Sequence, residues 1–224
     1  VTDSVSVLDH GHVRLVERMG NDLSIVRNAR VSYDAQWRTG DDEGKDAKLI
    51  HYLWRNRHTS PFEAVQFTFD IKCPIFVARQ WHRHRTWAYN EVSARYAELP
   101  EEFYVPTLDK VTTQAAGNKQ MRTDNQHPHA EEIAGILRLQ CEQAFKCYRS
   151  LLDVGCPREL ARSVLPVATY THFFATVDLR NLFHFLSLRL HAHAQYEIRV
   201  YAEAIVTLIR PFVPTAMEAF ESNV

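Results

Sequence analysis

Nine residues, Val65-Gln-Phe-Thr-Phe-Asp-Ile-Lys-Cys73, alternate apolar and polar without a break. Successive side chains of a strand point to opposite faces, so this period of two buries one face and wets the other. Such a strand belongs in an antiparallel sheet covered on one side, because a parallel sheet layered between helices needs strands that are apolar throughout. Pro74 ends the run and is suited to the first turn of a helix, which the sequence predicts from Ile75 to about Arg85. Short strands are predicted at Ser4–Leu8 and Val13–Glu17 around a polar turn with Gly11, and another at Thr169–Val177.

Helical periodicity marks Asp22–Val31, capped by Asn21 or Asp22, then about Asp46–Arg55 after a polar loop at 38–44. A long amphipathic helix at about His129–Val154 follows, with Ile133, Ile136, Leu137, Cys141, Ala144, Phe145, Tyr148, Leu151 and Leu152 on one face. Gly155 and Pro157 stop it. Shorter helices are predicted at Arg158–Leu165, Leu179–Leu188, Ala194–Arg210 and after Pro214, whereas 106–127 reads as an unpatterned surface loop. There is no regular βαβ alternation. The class is therefore α+β: an antiparallel sheet packed with long helices, in a single domain spanning 1–224.

The 224 residues carry a formal net charge of -1 and are 46% hydrophobic, which fits a globular chain and gives no bulk attraction to nucleic acid or anionic membrane. No apolar run approaches the about 20 residues that span a bilayer, and the first residues do not read as a secretory signal. Cys73, Cys141, Cys147 and Cys156 form no CxxC pair, so a reducing cytoplasm is expected.

The densest polar cluster is Arg79-Gln-Trp-His-Arg-His-Arg85, continuing through Thr-Trp-Ala-Tyr-Asn-Glu-Val-Ser-Ala-Arg95. It follows the apolar Ile75-Phe-Val-Ala78, an unusual place for arginines unless something anionic meets them. Gln80 and Arg83 lie three apart and would share a helix face, whereas Arg83 and Arg85 would point to different sides and could hold two anionic ligands. The arginine fork suits phosphate. The bland alternative pairs these arginines with nearby acids such as Glu91 and Glu98.

Arg83-His84-Arg85, seven residues and then Ser93 resembles the signature of flavin-dependent thymidylate synthases, as do the accompanying Asn90, Glu91, Arg95 and Tyr96. His58-Thr-Ser-Pro-Phe-Glu63, Pro157–Pro166 and Asp178–Arg189 running on to His193-Ala-Gln-Tyr-Glu-Ile198 are similar to that family too, so the resemblance spans roughly residues 20 to 215 in order.

The resemblance implies reductive methylation of dUMP to dTMP, with methylenetetrahydrofolate as carbon donor and FAD, reduced by NADPH, as hydride carrier. It implies a homotetramer with sites where subunits meet. Gln80, Arg83, Glu91, Ser93, Ala94, Arg95 and Arg162 would hold dUMP, and Arg189 would face the uracil and favour its ionised N3 form. Ser60, Arg83, His84, Arg85, Glu91, Asp178, Arg180 and His184 would line the flavin, with His58, Glu63 and His193 nearby. Arg189 and Ser93 are the catalytic candidates; Ser93 reads better as a binding hydroxyl than as a nucleophile, which would need a base within reach. Cys73 and Cys156 lack the electropositive setting of a reactive thiolate. Ala94 stands where the family pattern has glycine and would be strained at positive φ; Asp178 stands where asparagine is frequent.

The absence of a GxGxxG or Walker-type loop means any dinucleotide must be held by side chains and subunit interfaces. Two other classes compete. His-x-His pairs at 10/12, 82/84, 127/129 and 191/193 raise a metal hydrolase, but these fall in loops or beside helices and no HExxH occurs, so no metal is expected. Aromatics between the arginines of 79–95 raise a single-strand nucleic-acid module, yet the charge is confined to that segment and no nucleic acid is expected.

Overall fold

The structure is a computed structural model that describes residues 3–222. The alternating run forms β3 (Gln66–Pro74). Val65, Phe67, Phe69, Ile71 and Cys73 are each 0% exposed, so the predicted face is the core face. Around β3 lie β1 (Ser4–Val7), β2 (Gly11–Met19), β7 (Tyr170–Asp178) and β4 (Ala88–Glu91) in the order β1-β2-β3-β7-β4, antiparallel throughout. β4 has no sequence signal of its own; four residues at a sheet edge are too short for a period to show.

The helices are α1 (Asp22–Arg30), α2 (Glu43–Arg55), α3 (Ile75–Trp81), α4 (Ala130–Asp153), α5 (Arg158–Ala161), α6 (Leu179–Arg189), α7 (Tyr196–Ile209) and α8 (Pro214–Glu221). Asn21 caps α1 in a reciprocal box with Ser24. Asp22 instead accepts the amides of Thr215 and Ala216 (2.8 and 3.1 Å) and so caps α8. Trp81, Phe173, Phe185 and Tyr201 meet in one aromatic cluster that joins α3, β7, α6 and α7 under the sheet. The class is α+β, as predicted.

Four local expectations are corrected. α3 stops at Trp81 rather than near Arg85, with His82 as its cap, so Gln80 and Arg83 do not share a helix face. α2 begins at Glu43, capped by Asp42, so the loop ends two residues early. The 106–127 stretch holds a hairpin, β5 (Thr112–Gln114) with β6 (Arg122–Gln126), rather than only loop. Asp70, on the wet face of β3, is only 5% exposed because Arg14, His12 and His172 close over it.

In α4 the predicted apolar face divides. Cys141, Phe145 and Tyr148 are buried, while Ile136 and Leu137 are exposed at 54% and 43%. No helix among the described residues is long and apolar enough to cross a membrane.

Candidate active site

Arg189 ends α6 and reaches back to the end of α3. Its Nε donates to His84 Nε2 at 3.1 Å, and a terminal nitrogen donates to the Gln80 carbonyl at 3.2 Å. Leu182, Phe183, Phe185 and Leu186 bury the other faces of α6, which fixes where its last turn presents Arg189. His84 is buried against Phe185 (ring centroids 4.9 Å apart), with the His184 ring 6.0 Å away. To accept from a guanidinium, Nε2 must carry a lone pair, so His84 is neutral. Burial first, and then the charges of Arg189 and His184, push its pKa down to about 4.

The titration of His84 checks this arrangement. Its ring signals in NMR are expected to stay in the neutral form on acidification and move only near pH 4. Between 6.5 and about 4 the unfolded chain binds the proton that the folded one refuses, so stability falls as pH falls through that window. Titration at the ordinary histidine value would contradict the placement of Arg189.

Arg189 is half-buried and, among the described residues, has no carboxylate partner. Burial lowers its pKa from the arginine value, and no acidic group among the described residues neutralises it. A partly desolvated cation without a counter-ion is a receptor for an anion. Arg83 and Arg85 are exposed and likewise without ion pairs among the described residues. The acids that would have occupied them are engaged: Glu91 accepts from the Thr171 hydroxyl and Glu98 from Arg158 (3.2 Å).

The remaining expected residues fall into separate hollows of the single chain. Arg95 and Arg162, with Glu159 between them, line one of about 500 Å³. Arg180 and His184 line another of about 720 Å³, together with Arg55, Arg57, Trp54 and Phe220, and Arg180 pairs with Glu63. Ser60 and His58 share a third of about 540 Å³ with Tyr33 and Tyr52. His193 lies at a fourth, beside Gln195 and Arg122. Asp178 caps α6 through Asn181, whose backbone and side-chain nitrogens it accepts at 3.0 and 2.6 Å.

Ser93 Oγ accepts from the Arg95 amide at 3.3 Å, and no imidazole or carboxylate hydrogen-bonds it among the described residues. Ala94 is buried and does not adopt positive φ, so the strain expected of an alanine there does not arise. Cys73 is buried, which pushes its thiol pKa well up; Cys156 is partly buried, and neither resembles an activated thiolate.

Sequence reasoning missed three residues that touch this region. Gln195 hydrogen-bonds Gln80, buried Glu197 holds Gln195, and Arg122 of β6 holds Glu197. The run His193-Ala-Gln-Tyr-Glu-Ile198, already singled out for its resemblance, was the available signal for Gln195 and Glu197. The one His/carboxylate convergence among the described residues is His12, Asp70 and His172, whose ligand atoms lie within 4.8 Å of one another. Arg14 already binds the second oxygen of Asp70 at 2.6 Å and balances its charge, which disfavours a cation there.

Comparison with known proteins adds to this geometry. A profile of the thymidylate synthase complementing protein family matches residues 14–215. The flavin-dependent thymidylate synthase of Treponema denticola is 50% identical over 219 residues, which cover 97% of this chain and 81% of that protein. The one from Thermus thermophilus is 50% identical over 220 residues, 98% of this chain and 79% of that protein. A solved structure of the UMP/dUMP methylase PolB from Streptomyces cacaoi, bound with 5-Br dUMP, superposes with a TM-score of 0.88 at 38% identity, covering 97% of each chain.

Proposed function

The chain belongs to the family of flavin-dependent thymidylate synthases, and from that premise we propose that it methylates dUMP to dTMP, with methylenetetrahydrofolate giving the carbon and NADPH reducing the FAD. The observation that carries the reading is Arg189, a half-buried guanidinium with no counter-ion among the described residues, bonded to His84 and to the carbonyl of Gln80.

A uracil that has lost its N3 proton spreads negative charge over N3 and the two ring carbonyls. A facing guanidinium stabilises that anion, and the displaced electron density makes C5 nucleophilic toward the methylene carbon. No cysteine adduct is needed, in keeping with a buried Cys73 of raised pKa. Gln80, Arg83, Glu91, Ser93, Arg95 and Arg162 hold the nucleotide with the Ala94 amide, Ser93 acting as a binding hydroxyl. His84, kept neutral, positions Arg189 without competing with it for the anion.

The hollow around Arg180 and His184 suits FAD, since it joins cationic groups for a pyrophosphate to the aromatic faces of Trp54 and Phe220. Ser60, Arg83, His84, Arg85, Glu91, Asp178, Arg180 and His184 would hold the cofactor, which supplies the hydride that no side chain can provide. Ser60 lies in a different hollow from Arg180 and His184, and α4 leaves Ile136 and Leu137 exposed, so the proposal includes a homotetramer whose subunits close the sites. A cytoplasmic setting accords with four free cysteines.

The direct test is the visible absorbance spectrum of the purified protein, with a flavin band perturbed by dUMP and dTMP formed when folate and NADPH are added. Replacing Arg85 by Ala is expected to weaken FAD binding at least about 10-fold, as loss of a charge-assisted phosphate contact does, with a smaller effect on dUMP. Equal loss of both ligands would contradict the division of labour between Arg83 and Arg85.

A further inference from the structure

Arg122 stands at the start of β6, in the stretch where the sequence shows no pattern. One terminal nitrogen donates to the Lys110 carbonyl at 3.2 Å; the other spans both oxygens of Glu197 at 2.9 and 3.0 Å. Glu197 is only 2% exposed in the first turn of α7 and also accepts from the Tyr104 hydroxyl (3.2 Å) and from Gln195 Nε2 (2.8 Å). Gln195 Oε1 in turn accepts from Gln80 Nε2. Arg189 holds the Gln80 backbone carbonyl at 3.2 Å.

The chemistry of this chain of contacts has a direction. An ionised carboxylate only accepts hydrogen bonds, so Gln195 must turn its NH₂ group toward Glu197 and its carbonyl oxygen toward Gln80. Gln80 must then give its NH₂ group to Gln195, which leaves its own carbonyl oxygen to face a ligand. Arg122 sets a positive charge against the buried carboxylate of Glu197.

We propose that the β5–β6 hairpin, through Arg122, Glu197 and Gln195, fixes which atom Gln80 presents to the pyrimidine nucleotide, so that Gln80 recognises a hydrogen-bond donor on it. These three are positioning residues. The inference rests on the reading that Gln80 touches dUMP.

The test measures dUMP affinity and the kcat and KM of the FAD-loaded enzyme. Gln80→Ala is expected to weaken dUMP binding about 10-fold, the loss of one buried hydrogen bond. Arg122→Ala and Gln195→Leu are each expected to raise KM for dUMP by a similar factor with unchanged FAD content. Gln195 is exposed, so its variant folds even if unpairing Glu197 unfolds the Arg122 one. Adding Gln195→Leu to Gln80→Ala should cost nothing further, because both act through one contact. Analogues of dUMP lacking the 3′-hydroxyl or methylated at N3 distinguish a sugar donor from a base donor: one of them should lose affinity in the parent enzyme and not in the Gln80→Ala variant. If Gln80→Ala is impaired while Gln195→Leu binds dUMP normally, or the double variant shows additive losses, the positioning role is overturned. Normal dUMP binding by Gln80→Ala would overturn the placement of the nucleotide itself.

Discussion

Arg189→Ala is expected to lower dTMP formation by at least about 10³-fold while leaving FAD content within about two-fold of the parent. Removing a single neutral donor from a site that stabilises developing negative charge costs about 10²–10³ in rate, and here a full charge is lost. The guanidinium is half-buried and, among the described residues, has no carboxylate to share its charge, so at the proposed site no opposing charge weakens its field. His84, which its Nε contacts, cannot substitute for the charge, being held neutral by burial and by Arg189 itself. A structural contribution can be separated by two readouts. The His84 pKa should rise toward the ordinary histidine value once the neighbouring cation is gone, and Arg189→Lys should restore part of the rate by charge without restoring the two-pronged contact to His84 and Gln80. Turnover near the parent rate in Arg189→Ala would remove the activation role. Loss of FAD in parallel with activity would show that the residue mainly holds the fold of the site.

The parts of this molecule that were legible beforehand are those whose cause is local. A period of two over 65–73 fixes one core face, and β3 buries all five of its apolar positions. The capping box at Asn21 and the proline at the start of α8 work through neighbours in sequence. Contacts made at a distance left no comparable trace. His84 points inward to meet Arg189, 105 residues later, three residues beyond the end of α3 at Trp81. Asp70 sits on the polar side of an alternating strand and becomes buried only through Arg14 and two histidines from adjacent strands. The hairpin 112–126 is polar on both faces, so no hydrophobic period marks it, and its attachment through Arg122 to Glu197 crosses 75 residues. The arginine cluster of 79–95 was visible in the sequence; its connection to Gln195 and Glu197 was not.

Gly11→Ala is expected to destabilise the fold by about 2–3 kcal/mol, a large share of a typical domain's stability. Gly11 opens β2 and pairs with Val7 across the first turn of the sheet. A Cβ placed there would lie 2.1 Å from the Tyr201 hydroxyl, 2.6 Å from the Val7 carbonyl and 2.8 Å from the Lys72 carbonyl. None of the three can yield freely. Tyr201 is 0% exposed within the aromatic cluster, and its hydroxyl donates to the Lys72 carbonyl at 2.8 Å; both carbonyls belong to strands of the sheet. Relief requires either pulling β1–β2 off α7 or breaking the tyrosine's hydrogen bond in a dry setting, and overpacking and an unmade buried hydrogen bond each cost about 1–3 kcal/mol. Urea unfolding should show a lowered midpoint with an unchanged slope. Combining Gly11→Ala with Tyr201→Phe removes the nearest obstructing atom, so the double variant should be more stable than the sum of the single losses, though short of the parent because the two carbonyls remain. A Gly11→Ala protein within about 0.5 kcal/mol of the parent would mean that α7 does not press on the start of β2 as described, since that is the range of an unobstructed surface change.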